Sequence, residues 1–213
     1  VIPRAIASAP GGMFYVVGEF TGTVTFNGKN SPSDDITLIS EGDYDLFVAK
    51  VNENLELVWA LSAGSSSSDA AKAVAVNAMG DVFVTGYHSG SKATGAQAFF
   101  PSVIRRGYFV EGGLYDAVSK NAFLAKVNPN GFFDWVYTAG ADKDVKNAAA
   151  IKENPDSGES VAVSPDGNFV YWTGYFSSST NQAALFPKST KENYLKVSKT
   201  GQDVFVAKHS INT

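Results

Sequence analysis

Apolar and polar positions recur in the same order three times along this chain. Each copy starts with a short segment of small apolar residues, here called strand a, followed by a turn rich in Gly, Pro, Asn and Asp. Strand b is apolar and ends at a glycine, strand c reads Phe-Val-Ala-Lys or Phe-Leu-Ala-Lys, and strand d carries a tryptophan in the first two copies. Self-similarity at a long period predicts a repeat architecture.

Four apolar segments joined by turns predict a four-stranded antiparallel meander in each copy. The third copy has one extra residue between its a–b turn and the glycine, which predicts a β-bulge there. The predicted strands are a at 5–7, 73–76 and 161–163; b at 13–17, 82–85 and 169–173; c at 46–50, 122–126 and 204–208; and d at 57–64 and 133–140.

The strands are apolar without strict alternation, for example at 82–84 and 46–49, and such runs are typical of sheets buried on both faces. We therefore predict an all-β fold, a β-propeller-like array of four-stranded antiparallel blades. Small residues in strand a suit the crowded axis of a propeller, and the tryptophans suit its outer strands. The predicted blades are 1–64, 65–140 with an insertion at 87–121, and 141–213, which is incomplete because it lacks its outer strand.

These phrases resemble the bacterial-type β-propeller repeat written SBBP. The matching residues are 74–76 (Val-Ala-Val), 82–87 (Val-Phe-Val-Thr-Gly-Tyr), 203–208 (Asp-Val-Phe-Val-Ala-Lys) and 58–59 (Val-Trp). The resemblance implies a β-propeller in a surface or secreted protein, and it supplies no catalytic residues. Propellers close with about four to eight blades. The expected partners therefore include further blades of the same polypeptide or another copy of the chain.

Composition excludes several classes of function. The net charge of −4 and the pI near 5.2 argue against a nucleic-acid surface, which needs clustered positive charge. The chain contains no cysteine, so disulfides and thiolate sites are excluded. No apolar run approaches the roughly 18 residues that would span a membrane. We expect no membrane insertion and no nucleic-acid partner.

The copies differ most between strands b and c and between strands d and a. In a meander both connections emerge on the same edge, so the extra sequence should lie on one face of the array. Long loops on a rigid scaffold are where binding residues concentrate. The binding candidates, chosen as aromatic or arginine residues of these loops, are Tyr87, Phe100, Arg105, Arg106, Tyr108 and Tyr175. The simpler alternative is that the second loop forms a packed satellite cluster or an extra hairpin at 102–110.

Metal and cofactor signals are sparse. The two histidines, His88 and His209, are too far apart in sequence for a paired zinc motif, and no phosphate-binding glycine loop is present. Asp34, Asp35 and Asp43 could supply oxygen ligands to calcium, although a solvated acidic loop is the simpler interpretation. We expect no cofactor.

The sequence favours a non-enzymatic binding or structural module of an extracellular or cell-surface protein, contacting protein or glycan through the loops, as in adhesion. The alternative is part of a propeller hydrolase or lyase whose axial site is completed by blades outside this chain. A catalytic propeller should carry unrepeated charged residues at the axial ends of its strands, and strand a is mostly Ala, Val and Ile. A lectin is a third interpretation, because Tyr87 and Tyr175 repeat, with Glu19 in the first copy.

Overall fold

The structure is a computed structural model that describes residues 1–28, 32–89, 98–101, 108–110, 120–141, 155–178, 184–185, 194–196 and 201–211. These residues form β-strands joined by turns, with two short 3₁₀ segments at Pro10–Gly12 and Pro32–Asp34. The strands are β1 (Ile2–Ser8), β2 (Phe14–Phe20), β3 (Thr23–Phe26), β4 (Ile36–Ile39), β5 (Asp45–Val51), β6 (Leu57–Ala63), β7 (Ala70–Val76), β8 (Val82–Ser89), β9 (Ala98–Phe100), β10 (Tyr108–Val110), β11 (Lys120–Val127), β12 (Phe133–Ala141), β13 (Ser157–Val163), β14 (Phe169–Ser178), β15 (Ala184–Leu185), β16 (Tyr194–Lys196) and β17 (Gly201–Ser210).

Three antiparallel sheets follow the three sequence repeats. Sheet 1 has the order β1-β2-β5-β6, sheet 2 the order β7-β8-β11-β12 with β15 added at its outer edge, and sheet 3 the order β13-β14-β17-β16. The pairs β3–β4 and β9–β10 form two separate hairpins within the b–c segments. The predicted all-β class and the antiparallel meander of strands a to d are confirmed in sheets 1 and 2.

Sheet 3 differs from the prediction at its outer edge. Its a, b and c strands are β13, β14 and β17, and the position beside β17 is filled by β16. Because β16 precedes β17 in the chain, this edge strand comes from the b–c segment and not from a strand d. The expectation that this sheet lacks an outer strand is therefore wrong.

The extra residue of the third repeat lies in a turn and not in a strand. Six residues, 164–169, separate the paired Val163 and Val170, one more than the five residues, 77–81, that separate Val76 and Val82 in sheet 2. The pairing from Ser160 to Val163 is regular. The predicted bulge after the turn is wrong because a polar surface turn accommodates an additional residue without disturbing the ladder of hydrogen bonds.

Sheet 2 is covered on both faces by its neighbours. Val82 and Val84 belong to a buried cluster shared with sheet 1, whereas Phe83 between them belongs to a second cluster shared with sheet 3. Alternate side chains of one strand point to opposite faces, so one run of apolar residues supplies both clusters. Each fully buried Val, Leu or Phe contributes about 1.5–3 kcal/mol. This double burial explains why the strands show no polar face.

Specific contacts join the sheets at their outer sides. The indole nitrogen of Trp59 in sheet 1 donates to the carbonyl of Pro129 in the β11–β12 turn over 3.0 Å, and Lys50 Nζ donates to the same oxygen over 3.2 Å. Tyr137 of sheet 2 stacks on His209 of sheet 3, with ring centroids 5.0 Å apart. These contacts fix the position of each sheet against the next.

Candidate binding rim

The b–c and d–a connections lie on one edge of the sheets, which we call the rim. It is formed by the segments that follow β2, β6, β8, β12 and β14. In the order a-b-c-d of an antiparallel sheet, these connections necessarily leave from the same edge. In the described part of the chain, the opposite edge carries the short a–b and c–d turns. Residues at the rim ends of the strands are therefore the ones to inspect for binding.

A glycine in strand b shapes the rim end of every sheet. It is Gly18 in β2, Gly86 in β8 and Gly174 in β14. A Cβ atom at any of the three would lie within 3.0 Å of a backbone carbonyl oxygen of the neighbouring strand a. Only glycine permits this close approach. Glycine is therefore required at this position of strand b, because strand a passes too close to leave room for a side chain.

Opposite each of these glycines, strand a carries a β-bulge. The register shifts between Pro3 and Ala5, between Ala71 and Ala73, and between Gly158 and Ser160. The unpaired residues at the shifts are Arg4, Lys72 and Glu159. A bulge re-aims a side chain out of the alternation of the strand. We call these three residues the bulge row.

The bulge row is charged, and its charges are paired. Arg4 forms an ion pair with Glu19, a residue of β2 whose side chain is only 6% exposed. Lys72 Nζ of sheet 2 lies 2.5 Å from Glu159 Oε1 of sheet 3. The second of these pairs joins neighbouring sheets at their inner strands.

Aromatic rings extend this charged row between the sheets. The hydroxyl of Tyr87 donates to Glu19 Oε2 over 3.4 Å, which links sheet 2 to sheet 1. Lys72 Nζ lies 5.7 Å from the ring centroid of Tyr87 and also 5.7 Å from that of Tyr175 in sheet 3. Lys120 Nζ lies 3.9 Å from the Tyr87 centroid. Contacts of this kind are worth about 0.5–2 kcal/mol, depending on how far the cation is desolvated.

Burial and the Glu19 carboxylate shift the pKa values of three side chains at the rim. Burial, together with the nearby Glu19 carboxylate, raises the pKa of Tyr87 to about 12, so its hydroxyl keeps its proton as a donor. Burial lowers the pKa of Lys120, and the neighbouring Lys72 lowers it further. The Arg4 guanidinium has a raised pKa because it donates to Glu19. Shifted groups of this kind mark a region where charged side chains have been partly removed from water.

A buried carboxyl group anchors the short connection between β6 and β7 at the rim. Asp69 is fully buried and accepts hydrogen bonds from the backbone nitrogen of Ser65 at 2.8 Å, from Ser65 Oγ at 2.9 Å and from the backbone nitrogen of Ser89 at 2.8 Å. Burial raises the pKa of Asp69 to about 7 against these three donors. Asp45, at the start of β5, has its pKa raised to about 6 by burial as well.

The raised pKa of Asp69 predicts a specific pH dependence. A carboxyl group that holds its proton more tightly in the folded chain than in the unfolded chain stabilises the fold at low pH, and this contribution is lost as pH rises from about 4 to about 7. The Asp69→Asn variant has no carboxyl group to ionise, so it cannot lose this contribution as the pH rises. Relative to wild type, the free energy of unfolding of the variant should therefore rise over this range, by roughly 4 kcal/mol at most.

Urea unfolding of both proteins at a series of pH values would measure this difference. The titration of groups that are not coupled to Asp69 cancels in the comparison, and Asp45, whose charge contributes to the raised pKa of Asp69, is the coupled group. A difference that stays constant between pH 4 and 7 would contradict a raised pKa at Asp69.

His88 lies beneath the rim as a core residue. Its side chain is fully buried and packs edge-on against Phe100 with centroids 6.4 Å apart. Burial lowers the pKa of His88 to about 4, so the imidazole is neutral at physiological pH. Neither ring nitrogen has a hydrogen-bond partner among the residues that the structure describes.

The predicted binding residues have different fates. Tyr87 and Tyr175 both lie against the ammonium group of Lys72. Phe100 was predicted as an exposed loop aromatic, but it is fully buried, 5.5 Å from Phe123 and 5.0 Å from Phe133 between ring centroids, so it packs in the core. Tyr108 lies in β10, paired with Phe100 in the β9–β10 hairpin. Arg105 and Arg106 lie outside the described residues.

The acidic candidates do not form a metal site. Asp34 and Asp43 are exposed, and Asp35 accepts a hydrogen bond from the backbone nitrogen of Gly28 at 2.7 Å. Within the described part of the chain, no three His, Asp or Glu side chains gather closely enough to hold a metal ion. The Asp34, Asp35 and Asp43 set therefore does not come together as calcium ligands.

The sequence interpretation missed the bulge row. Strand a is predicted from its small apolar residues, Ala, Val and Ile. Arg4, Lys72 and Glu159 precede these residues and so lie outside the predicted strands. A signal was present: this position changes charge from copy to copy while the residues after it stay apolar.

Among the described residues, no helix is long and apolar enough to cross a membrane. In comparisons with known proteins, no family model matches the chain. A search of curated proteins likewise gives no significant match.

Proposed function

We propose that this chain is a non-enzymatic structural and binding module, a propeller-like array of blades in an extracellular or cell-surface protein. One open sheet face would receive a further blade, and the rim would contact a protein partner. The observation that carries the proposal is the open face of sheet 3. Repeat positions that are buried in sheets 1 and 2 are exposed on this face.

The repeat positions make this comparison direct. In strand c of sheet 1, Val48 is fully buried against sheet 2, and in sheet 2 the matching Leu124 is fully buried against sheet 3. The matching residue of sheet 3 is Val206, which is 43% exposed, and Val204 two positions earlier is 56% exposed. Tyr171 on β14 is 38% exposed on the same face. Exposed apolar clusters of this kind mark interaction surfaces.

The neighbouring boundaries indicate what would cover this face. Where sheet 2 packs against sheet 1 it presents Phe123 and Ala125, and where sheet 3 packs against sheet 2 it presents Phe205 and Ala207. A sheet with the same Phe-x-Ala pattern would complete sheet 3 in the same way. The occupant we propose is such a sheet, from the same polypeptide or from another copy.

The rim supports contact with a partner more than it supports catalysis. Arg4, Lys72, Glu19 and Glu159 neutralise one another in pairs, which leaves none of these four poised as a free acid or base. The Tyr87 ring already carries the ammonium groups of Lys72 and Lys120. A ring covered by cations offers little area for stacking on a sugar, so a protein partner is favoured over a glycan.

The competing function is a hydrolase or lyase whose axial site other blades complete. One observation favours it: the bulge row places unrepeated charges in the strands a, which the sequence pattern predicts to be mostly Ala, Val and Ile. Turnover of chromogenic ester or glycoside substrates, abolished by Lys72→Met without a change in melting temperature, would support the enzyme and contradict the binding module.

Sedimentation velocity over a wide range of concentrations tests the open face. We expect the wild-type chain to self-associate through sheet 3. The Val204→Lys, Val206→Lys double variant should be monomeric, with a melting curve like that of the dilute wild-type chain. Met79→Lys is the matched control, because Met79 is also exposed, at 67%, but lies in the β7–β8 turn. A wild-type monomer with a cooperative melt would contradict the proposal.

A further inference from the structure

Two b–c segments pair their backbones with the preceding sheet at the same repeat position. Gly64, directly after β6, exchanges two hydrogen bonds with Phe99 of β9: Gly64 N donates to Phe99 O over 3.2 Å, and Phe99 N donates to Gly64 O over 2.7 Å. In sheet 2, Gly140 pairs with Leu185 of β15. Gly64 and Gly140 are equivalent, because segments 45–64 and 121–140 align without a gap. At each boundary between sheets, the backbone of a b–c segment therefore pairs with the glycine that ends the preceding strand d. We call this pairing a clasp.

The first b–c segment has the same local structure, although among the described residues no strand d pairs with it. Phe100, next to Phe99, packs on Phe123 with centroids 5.5 Å apart. In the first repeat, Phe26 packs on Phe47 with centroids 5.7 Å apart. Phe47 and Phe123 occupy the same position of strand c, so Phe26 corresponds to Phe100. The residue before it, Thr25, therefore corresponds to the clasp residue Phe99.

The register of the β3–β4 hairpin directs the backbone of Thr25 outward. Ser40 N donates to Gly22 O over 2.9 Å, which makes Gly22 and Ser40 a hydrogen-bonded pair. Hydrogen-bonded and non-hydrogen-bonded pairs alternate along an antiparallel ladder, so Thr25 and Thr37, three pairs further on, are a non-hydrogen-bonded pair. Their hydroxyl oxygens are 3.1 Å apart, as the closer spacing of such a pair allows. The N–H and C=O of Thr25 thus point away from β4.

Phe99 has the same orientation in its own hairpin. It lies opposite Phe109 in the β9–β10 pair, yet its N–H and C=O are bonded to Gly64 on the other side. Thr25 matches Phe99 in its aromatic neighbour and in the direction of its backbone groups. The difference is that, among the described residues, β3 pairs with β4 alone.

We propose that the edge of β3 at Thr25 is a backbone docking site for the outer strand of another four-stranded sheet of this repeat. The glycine that ends that strand would exchange two hydrogen bonds with Thr25, as Gly64 does with Phe99. An exposed strand edge that offers unpaired N–H and C=O groups is a recognised mode of protein association. This inference rests on the proposed stacking of sheets of this type.

The partner strand has a definite character. In this chain the strands that end at a clasp glycine both carry a tryptophan, as Trp59 before Gly64 and Trp135 before Gly140. Both glycines are already paired, so a second copy of the chain would have to give up a clasp to supply one. The occupant is therefore the strand d of an additional repeat.

Hydrogen exchange on a tandem protein tests the docking edge. In this tandem protein, a copy of residues 65–140 comes first, a second copy of residues 65–69 follows as the connection, and the natural chain comes last. Sheet 1 then follows a sheet whose clasp glycine, the copy of Gly140, is free to pair. We expect exchange of the Thr25 amide to slow to a rate comparable with that of Phe99. The Thr37 amide, which points to the opposite edge of the hairpin, should exchange as it does in the natural chain.

A second readout separates the clasp from the stacking. The chain contains no cysteine, so Ile6→Cys introduces a single thiol at a site on the first face of sheet 1 that is 67% exposed. Slow thiol labelling in the tandem protein together with fast exchange at Thr25 would overturn the clasp while leaving sheet stacking intact. Fast labelling and fast exchange together would overturn both.

The natural chain alone also tests the equivalence, whether or not the tandem protein folds. We expect the Phe99 amide to be protected and the Thr25 amide to exchange freely. Equal exchange rates at the two positions would overturn the inference.

Discussion

Replacing Gly86 with alanine should abolish folding or cost more than about 4 kcal/mol, an exceptional effect for the addition of one methyl group. The added Cβ would overlap the carbonyl oxygen of Ala70, and the Cα of Ala71 would lie close behind it. Both are backbone atoms of the bulged strand a, so neither can turn away as a flexible side chain would. Urea unfolding followed by circular dichroism would measure the loss.

Gly167→Ala provides the matched control. Gly167 lies in the β13–β14 turn with φ of 71°, and a Cβ there would meet no atom within 4 Å. Its cost is the left-handed backbone alone, about 1–2 kcal/mol. If Gly86→Ala were no more damaging than this turn substitution, the close approach of strand a to strand b would be wrong, and with it the origin of the bulge row.

Substitutions at one repeat position should change the free energy of unfolding by very different amounts in different sheets. Leu124→Ala should destabilise the chain by about 2–5 kcal/mol, since it leaves a cavity between sheets 2 and 3. Val48→Ala should also be costly, because Val48 is fully buried between sheets 1 and 2. Val206→Ala, at the same position of sheet 3, should change the stability of the monomer by no more than about 0.5 kcal/mol.

Thermal and urea unfolding at low protein concentration would measure this series without interference from association. Sequence similarity alone gives no reason for the three sites to differ, since all three lie in the same phrase of strand c. A large loss at Val206, or a negligible loss at Leu124, would show that the sheets do not stack in the order 1, 2, 3.

The sequence predicted the strands well because each rests on local signals. Turn glycines and asparagines bound the apolar segments, and the strand c phrase contains residues for both faces of a buried sheet. In sheet 2, residues of this phrase pack on both faces: Phe123 is directed to sheet 1 and Leu124 to sheet 3. The repeated order of apolar segments and turns therefore sufficed to predict the four-stranded meander that sheets 1 and 2 contain.

Features that depend on long-range geometry could not be predicted in this way. The glycine of strand b was interpreted as the end of the strand, but its role is to admit the carbonyl group of strand a. Phe100 looked like an exposed loop aromatic because nothing local shows that its loop folds back over Phe123 and Phe133. The outer strand of sheet 3 comes from a segment without a strand d phrase, and its three residues form a strand only because β17 presents an open edge.

The central claim is that the three sheets stack face to face in sequence order, and nuclear Overhauser effects across both boundaries test it most directly. The structure predicts contacts from the Trp59 ring to Gly131, where an added Cβ would lie 3.0 Å from the ring, and from the Tyr137 ring to that of His209. Observation of both pairs in a chain with intact strand pairing would confirm the stack. Loss of either pair, with the strands of each sheet still protected from exchange, would contradict it.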